Sequence, residues 1–150
     1  MTIEEIMTKE VETVDSQTPV VRVAELLFKK RFHGMPVVDN EKKLLGIITE
    51  GDFFVKNSEN LFLPNYIEFL EKSKIVGQLP EGKKEEIVEL LNAKAEDIMT
   101  KDCIFVKEET DILELVKIFQ KGNFFTVPVV DNNKKVVGIV TVADILNLIH

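Results

Sequence analysis

A chain of 150 residues with a hydrophobic fraction of 45% carries enough apolar material for one ordinary domain or two small ones. Its formal net charge of −7 excludes a protein that wraps a nucleic-acid backbone, because such binding is driven by clustered Lys and Arg that release counterions. No apolar run reaches the ~20 residues of a membrane span, the N-terminus lacks the layout of a signal peptide and the lone Cys103 has no internal disulfide partner, so the expectation is a cytoplasmic protein with no membrane contact.

In chain order, Ile3–Lys9 reads as a brief helical lead-in and Val11–Val14 as a short strand of β-branched and apolar residues. Thr18 and Pro19 then offer an N-cap hydroxyl and a proline at the first helical position. Val20, Val23, Ala24 and Leu27 follow at helical spacing, which predicts an amphipathic helix over about 19–32. Met35-Pro36-Val37-Val38 and Leu44–Ile48 flank the polar cluster Asp39–Lys43, the pattern of a β-hairpin with roughly five loop residues. Leu44–Ile48 does not alternate with polar residues, so burial of both its faces is expected. Thr49 closes that strand and a helix is expected after it.

The same order returns in the second half. Pro128, Gly138, Thr141 and Asp144 each lie 92 positions after Pro36, Gly46, Thr49 and Asp52, with no gap between them. Such register marks duplication of a whole structural unit. Ala95–Lys101 repeats the lead-in and Cys103–Val106 the first strand, where Cys103 reads as a buried, unreactive residue. Thr110 and Asp111 repeat the helix entry, and Ile112, Leu115, Val116 and Phe119 predict a helix over 111–121. Asp131–Lys135 is the second turn and Val136–Val140 the second buried strand. Two strand-helix-strand-strand-helix units give an α+β architecture.

Residues 55–94 have no counterpart. Leu61–Leu70 is strongly apolar, Lys83–Leu91 is patterned as an amphipathic helix, and Gly77, Pro80 and Gly82 separate them. One reading is a helical hairpin over the core edge. The other is a dimer or partner surface built from Leu61, Phe62, Tyr66, Phe69 and Leu70. The boundaries are 1–56 for the first repeat, 57–94 for the insertion and 95–150 for the second repeat.

Catalytic chemistry is thinly represented. The histidines are His33 and His150, no G-x-S-x-G elbow accompanies them, no metal-ligand spacing occurs and no Gly-rich phosphate loop appears. A hydrolase pairing His33 with Asp52 lacks an activated nucleophile. What recurs is Thr-x-x-Asp at a strand-to-helix junction, Thr49 with Asp52 and Thr141 with Asp144. A carboxylate there can accept from sugar hydroxyls, while the hydroxyl and free N–H groups suit phosphate. The same four residues also make a capping box, which accounts for the pattern with no ligand at all. Pro36 and Pro128 cannot donate to a sheet ladder, so irregular backbone is expected near Met35 and Val127, with His33 and Gly34 before the first.

The lead-in Met-Thr, the Thr-Pro helix entry, Pro-Val-Val-Asp and Gly-Ile-(Ile/Val)-Thr-x-x-Asp together resemble the CBS domain, over about residues 1–56 and 95–150, as a tandem pair or Bateman module. The resemblance implies two βαββα repeats packed sheet to sheet about a pseudo-twofold axis, plus the insertion, with adenosine-type ligands in two clefts between them. It implies that Asp52 and Asp144 hold ribose hydroxyls and that Thr49 and Thr141 help bind ribose or phosphate. The resemblance further implies that backbone at Phe32, His33, Gly34 and Met35, and at Phe124, Phe125, Thr126 and Val127, with Glu12 and Ile104, lines the adenine pockets. His33 matches a phosphate-contacting position that Phe125 replaces in the second repeat, so the two sites are expected to differ. The functional expectation is a non-catalytic sensor, without cofactor, for AMP, ADP, ATP or S-adenosylmethionine, forming a homodimer and signalling to an effector protein. The alternative is a structural dimerisation module whose clefts stay empty.

Overall fold

Turn chemistry sets the two hairpins. A computed structural model of the chain describes residues 1–53, 92–122 and 125–149, so the expected insertion helices, the apolar patch Leu61–Leu70 and Phe124 lie outside the described residues. Strand β1 (Val14–Asp15), helix α1 (Val20–Lys30), β2 (Gly34–Val38) and β3 (Leu44–Thr49) make the first repeat, ending in a 3-10 turn at Glu50–Phe53. After the insertion come α2 (Ala95–Ile98), β4 (Thr100–Lys101), β5 (Val106–Lys107), α3 (Ile112–Lys121), β6 (Thr126–Val130), β7 (Val136–Thr141) and α4 (Val142–Leu146). In each turn one aspartate oxygen takes two backbone N–H groups: Asp39 Oδ1 from Glu41 and Lys43 at 2.8 and 3.0 Å, Asp131 Oδ1 from Asn133 and Lys135 at the same distances. That leaves Lys42 and Lys134 left-handed, with φ of 64° and 65°. Their carbonyls then join the repeats reciprocally, accepting from Val136 and Leu44 N–H at 3.1 and 3.0 Å.

Each sheet has parallel and antiparallel pairing. β2 and β3 pair along their length, with Pro36 opposite Ile47, and β6 and β7 do the same with Pro128 opposite Ile139. β1 pairs with β2 in parallel only from Val37 onward, and β5 with β6 only from Val129. The break therefore falls on one side of the strand: the hairpin side near Met35 and Val127 is regular, and the ladder to β1 or β5 starts one residue past each proline, which has no N–H to give. This also corrects the first strands. Pairing is confined to Val14–Asp15 and Val106–Lys107, so Val11–Thr13 and Cys103–Phe105 precede the ladders they were expected to form.

The lead-ins cross between repeats. Ile3 and Glu4 N–H donate to Thr110 and Glu108 carbonyls at 2.9 and 3.0 Å, while Ala95 and Glu96 N–H donate to Thr18 and Ser16 at 2.8 and 3.0 Å. Ile3 is fully buried in the second core with Val106, Leu115, Val127, Val129 and Val140, and Ala95 in the first with Val14, Leu27, Met35 and Phe53. These segments are shorter helices than expected, Ile3–Glu5 and Ala95–Ile98, because each turns directly onto the other repeat's sheet. Thr100–Lys101 is strand β4, antiparallel to β3, and Thr8 bridges Ile139 in the matching place.

This crossing resets the helix entries. The N-cap of α1 is Pro19, not Thr18, because the first helical N–H, on Val20, is taken by Ala93 carbonyl at 2.9 Å. Asp111 is the cap of α3, accepting from Leu113 N–H at 2.8 Å. Val20, Val23, Ala24 and Leu27 are buried as the spacing predicts, but in α3 only Leu115 is, with Ile112, Val116 and Phe119 half-buried. The expectation of strands buried on both faces is met at Leu44 and Gly46–Ile48 and fails at Leu45, which is exposed, and at Val136, Val137 and Ile139, which are half-buried.

Candidate functional site

The junction after each hairpin is built by register. Gly34 stands opposite Thr49 across β2 and β3, and Thr126 opposite Thr141 across β6 and β7, so the start of one strand and the end of the next meet at one edge. Three residues on, the acid folds back. Asp52 Oδ2 accepts from Thr49 N–H at 2.7 Å and from its Oγ1 at 3.3 Å; Asp144 Oδ2 accepts from Thr141 N–H at 2.7 Å and Oγ1 at 3.1 Å. The acid's half of a capping box is therefore present in both copies.

The copies diverge at the second carboxylate oxygen. Asp52 Oδ1 accepts from Thr100 Oγ1 at 3.3 Å, a residue supplied by the crossing lead-in. Thr8, its counterpart, makes no side-chain hydrogen bond to Asp144, whose Oδ1 has no partner among the described residues. Burial pushes the Asp52 carboxyl up from its ordinary range, against the opposing pull of the hydrogen bonds from Thr49 N–H and from the Thr100 and Thr49 hydroxyls. The expected helix after Thr49 is a 3-10 turn within the described residues, whereas Thr141 opens α4.

The flanking residues also differ. His33 is exposed, with Nδ1 3.9 Å from Glu50 Oε1, and no hydrogen bond joins it to Asp52 among the described residues. Phe125 is 67% exposed, and its carbonyl accepts from Val142 N–H at 3.1 Å. Met35 and Val127 are buried in the two cores, so only their backbone can face a cleft. Glu12 and Ile104 each lie two residues before the first paired residue of their strand, Val14 or Val106, outside the ladders. Glu12 Oε2 is 3.5 Å from Lys30 Nζ, and Ile104 is 41% exposed. Cys103 is half-buried outside β5, and burial pushes its thiol up, which keeps it protonated and weakly nucleophilic.

Sequence reasoning did not single out Thr100 as a partner of Asp52. The signal was available in the repeated Met-Thr, Met7-Thr8 and Met99-Thr100, but its use depends on the crossing, which local patterns do not encode.

Known proteins share this architecture. The family described as "CBS domain" matches residues 3–57 and 95–150. An uncharacterized protein of Methanocaldococcus jannaschii, MJ1426, is 32% identical over 151 residues, covering 97% of this chain and 89% of the relative. The solved CBS domain pair of protein MJ0100, in complex with 5-methylthioadenosine and S-adenosyl-L-methionine, has a TM-score of 0.70 at 28% identity, covering 99% of this chain and 95% of that one. The CBS domain of a CBS domain-containing membrane protein from Sphaerobacter thermophilus has a TM-score of 0.73 at 27% identity, covering 99% and 87%. The enzymes that match are larger: the chain spans 22% of the inosine-5'-monophosphate dehydrogenase of Methanocaldococcus jannaschii, at 30% identity over 143 residues.

Proposed function

The chain belongs to the CBS domain family, and on that premise we propose that it is a non-catalytic sensor that takes an adenosine-type ligand, AMP, ADP, ATP or S-adenosylmethionine, in the clefts between its repeats. The observation that carries this is the doubled junction. Thr49 with Asp52, and Thr141 with Asp144, each place a fixed hydroxyl and carboxylate beside a strand start, Gly34 or Thr126, whose flank toward the first strand of its repeat carries no ladder. A ribose diol supplies two donors to a carboxylate and an adenine ring pairs with backbone left outside a ladder, so both halves of such a ligand have a partner. The MJ0100 pair, 28% identical, holds adenosyl compounds. Occupancy changes how the crossing lead-ins pack, and a homodimer or a cytoplasmic effector protein reads that change. No metal or cofactor takes part.

The experiment is a set of thermal melts with each of the four compounds. A ligand that binds only the folded state stabilises it by about 2.7 kcal/mol at a hundredfold excess over Kd. A midpoint that rises with concentration supports the reading, and no rise with any of the four at millimolar levels sinks it. The second reading, a structural module with empty clefts, has its own observation: the Thr and Asp groups already satisfy one another as caps.

A further inference from the structure

The geometry points to a built-in clasp on the first site: the Thr100 hydroxyl bonds the Asp52 oxygen left free by Thr49, so a ligand hydroxyl competes with it there and the first cleft binds more weakly than the second. This rests on the sensing reading above. Asp52 Oδ2 is held by Thr49 N–H and Oγ1, and Oδ1 by Thr100 Oγ1, so among the described residues both oxygens are engaged. Asp144 has the same Oδ2 bonds and an Oδ1 without a partner among the described residues. A ligand hydroxyl therefore competes with a protein hydroxyl at Asp52 Oδ1 and with no described residue at Asp144 Oδ1.

The competitor is an exposed side chain on a fixed backbone. Thr100 opens β4, its residue pairs with Ile47 in register, and its carbonyl presses against Gly46. It arrives with the lead-in whose Ala95 is buried in the first core. Releasing its hydroxyl loosens one contact between the second repeat's lead-in and the first repeat's sheet. Thr100 is thus a positioning residue that links occupancy of one cleft to the packing between repeats.

Calorimetric titration of the full chain with AMP tests the clasp. Asp144→Ala leaves the first site and Asp52→Ala leaves the second. The Asp52→Ala protein is expected to bind more tightly than the Asp144→Ala protein. Adding Thr100→Val should tighten binding roughly three- to tenfold in the Asp144→Ala background, the range of one modest hydrogen bond. It should change nothing in the Asp52→Ala background, and Thr100→Ser should restore the weak affinity. AMP binding with no response to Thr100→Val at the first site overturns the clasp and leaves the sensing reading intact. Absence of AMP binding in every variant counts against the sensing reading, and the clasp is then decided without ligand by a double-mutant cycle of Asp52→Ala and Thr100→Val on the folding equilibrium. Coupling of about threefold or more upholds it; additivity overturns it.

Discussion

Gly46 lies so close under Thr100 that a Cβ at position 46 would stand 2.6 Å from the Thr100 carbonyl oxygen and 3.0 Å from Met99 Sδ. Gly138 meets the other lead-in in the same way, 2.9 Å from the Thr8 carbonyl and 2.7 Å from Met7 Sδ. The glycine of the hairpin motif and the Met-Thr of the lead-in are thus two halves of one contact, made twice across the pseudo-twofold. Carbonyl groups fixed in a ladder cannot retreat, so Gly46→Ala and Gly138→Ala should each destabilise the chain by about 1–3 kcal/mol. Gly51→Ala, whose Cβ would meet nothing among the described residues closer than Thr49 Oγ1 at 3.7 Å, should stay within ~0.5 kcal/mol. Urea unfolding of the three variants checks the contrast.

The crossing makes the third residue of the chain a core residue. Ile3 is fully buried among Val106, Leu115, Val127 and Val140, all from the second repeat. Ile3→Ala should therefore cost about 2–4 kcal/mol, as for large-to-small changes in a packed interior. A terminal residue without such packing would change stability by no more than ~0.5 kcal/mol. Hydrogen exchange should show the loss of protection first at β5 and β6, more than 100 positions away in sequence, and not at β2 and β3.

Asp52 gives the stability curve a sign. Burial raises its carboxyl in the folded state, so above ~4, the ordinary carboxylate range, the unfolded chain releases its proton first. The folded state then holds more protons than the unfolded one, and stability falls as pH rises until the folded carboxyl has ionised as well. Asp52→Asn keeps an acceptor and removes the charge. The stability difference between Asp52→Asn and the parent should therefore grow in favour of the variant as pH rises above ~4 and level off once the folded carboxyl has ionised, as read by denaturant unfolding at a series of pH values. A difference that shrinks with rising pH would contradict it.

The repeat order, the hairpins and the helix faces were legible because each is written locally: Asp39 and Asp131 announce their turns, and Val20, Val23, Ala24 and Leu27 sit at helical spacing. Family and architecture followed from the paired motifs. The crossing was hidden, since nothing in Ile3-Glu4-Glu5 says which repeat it packs on; that is decided by bonds to Thr110 and Glu108 that no short window contains. The first strands were placed early for a related reason. Apolar composition marks Val11–Val14 and Cys103–Val106, but the ladder begins where Pro36 and Pro128 allow it. Thr49, Asp52, Thr141 and Asp144 were visible as a pattern, whereas the inequality between the two acids arises from Thr100, which lies 48 positions from Asp52.

The cap and the ligand site use the same acid, and stability in the absence of ligand separates them. Asp144 Oδ2 receives two bonds from Thr141, the N–H at 2.7 Å and the hydroxyl at 3.1 Å. Thr141→Ala removes only the hydroxyl, so the shorter bond survives and the expected cost is about 0.5 kcal/mol. Asp144→Ala removes the acceptor from both and leaves a backbone N–H at the helix start unsatisfied, for about 1–2 kcal/mol. Thr141→Ser keeps both bonds and should be close to neutral. If the acid acts only as a cap, an adenosyl compound will shift the melting midpoints of the parent and of all three variants equally or not at all. If it also binds ribose, Asp144→Ala will lose part of the ligand-dependent shift beyond its own stability cost, while Thr141→Ser retains it. Melts with and without ligand on the same four proteins measure both quantities.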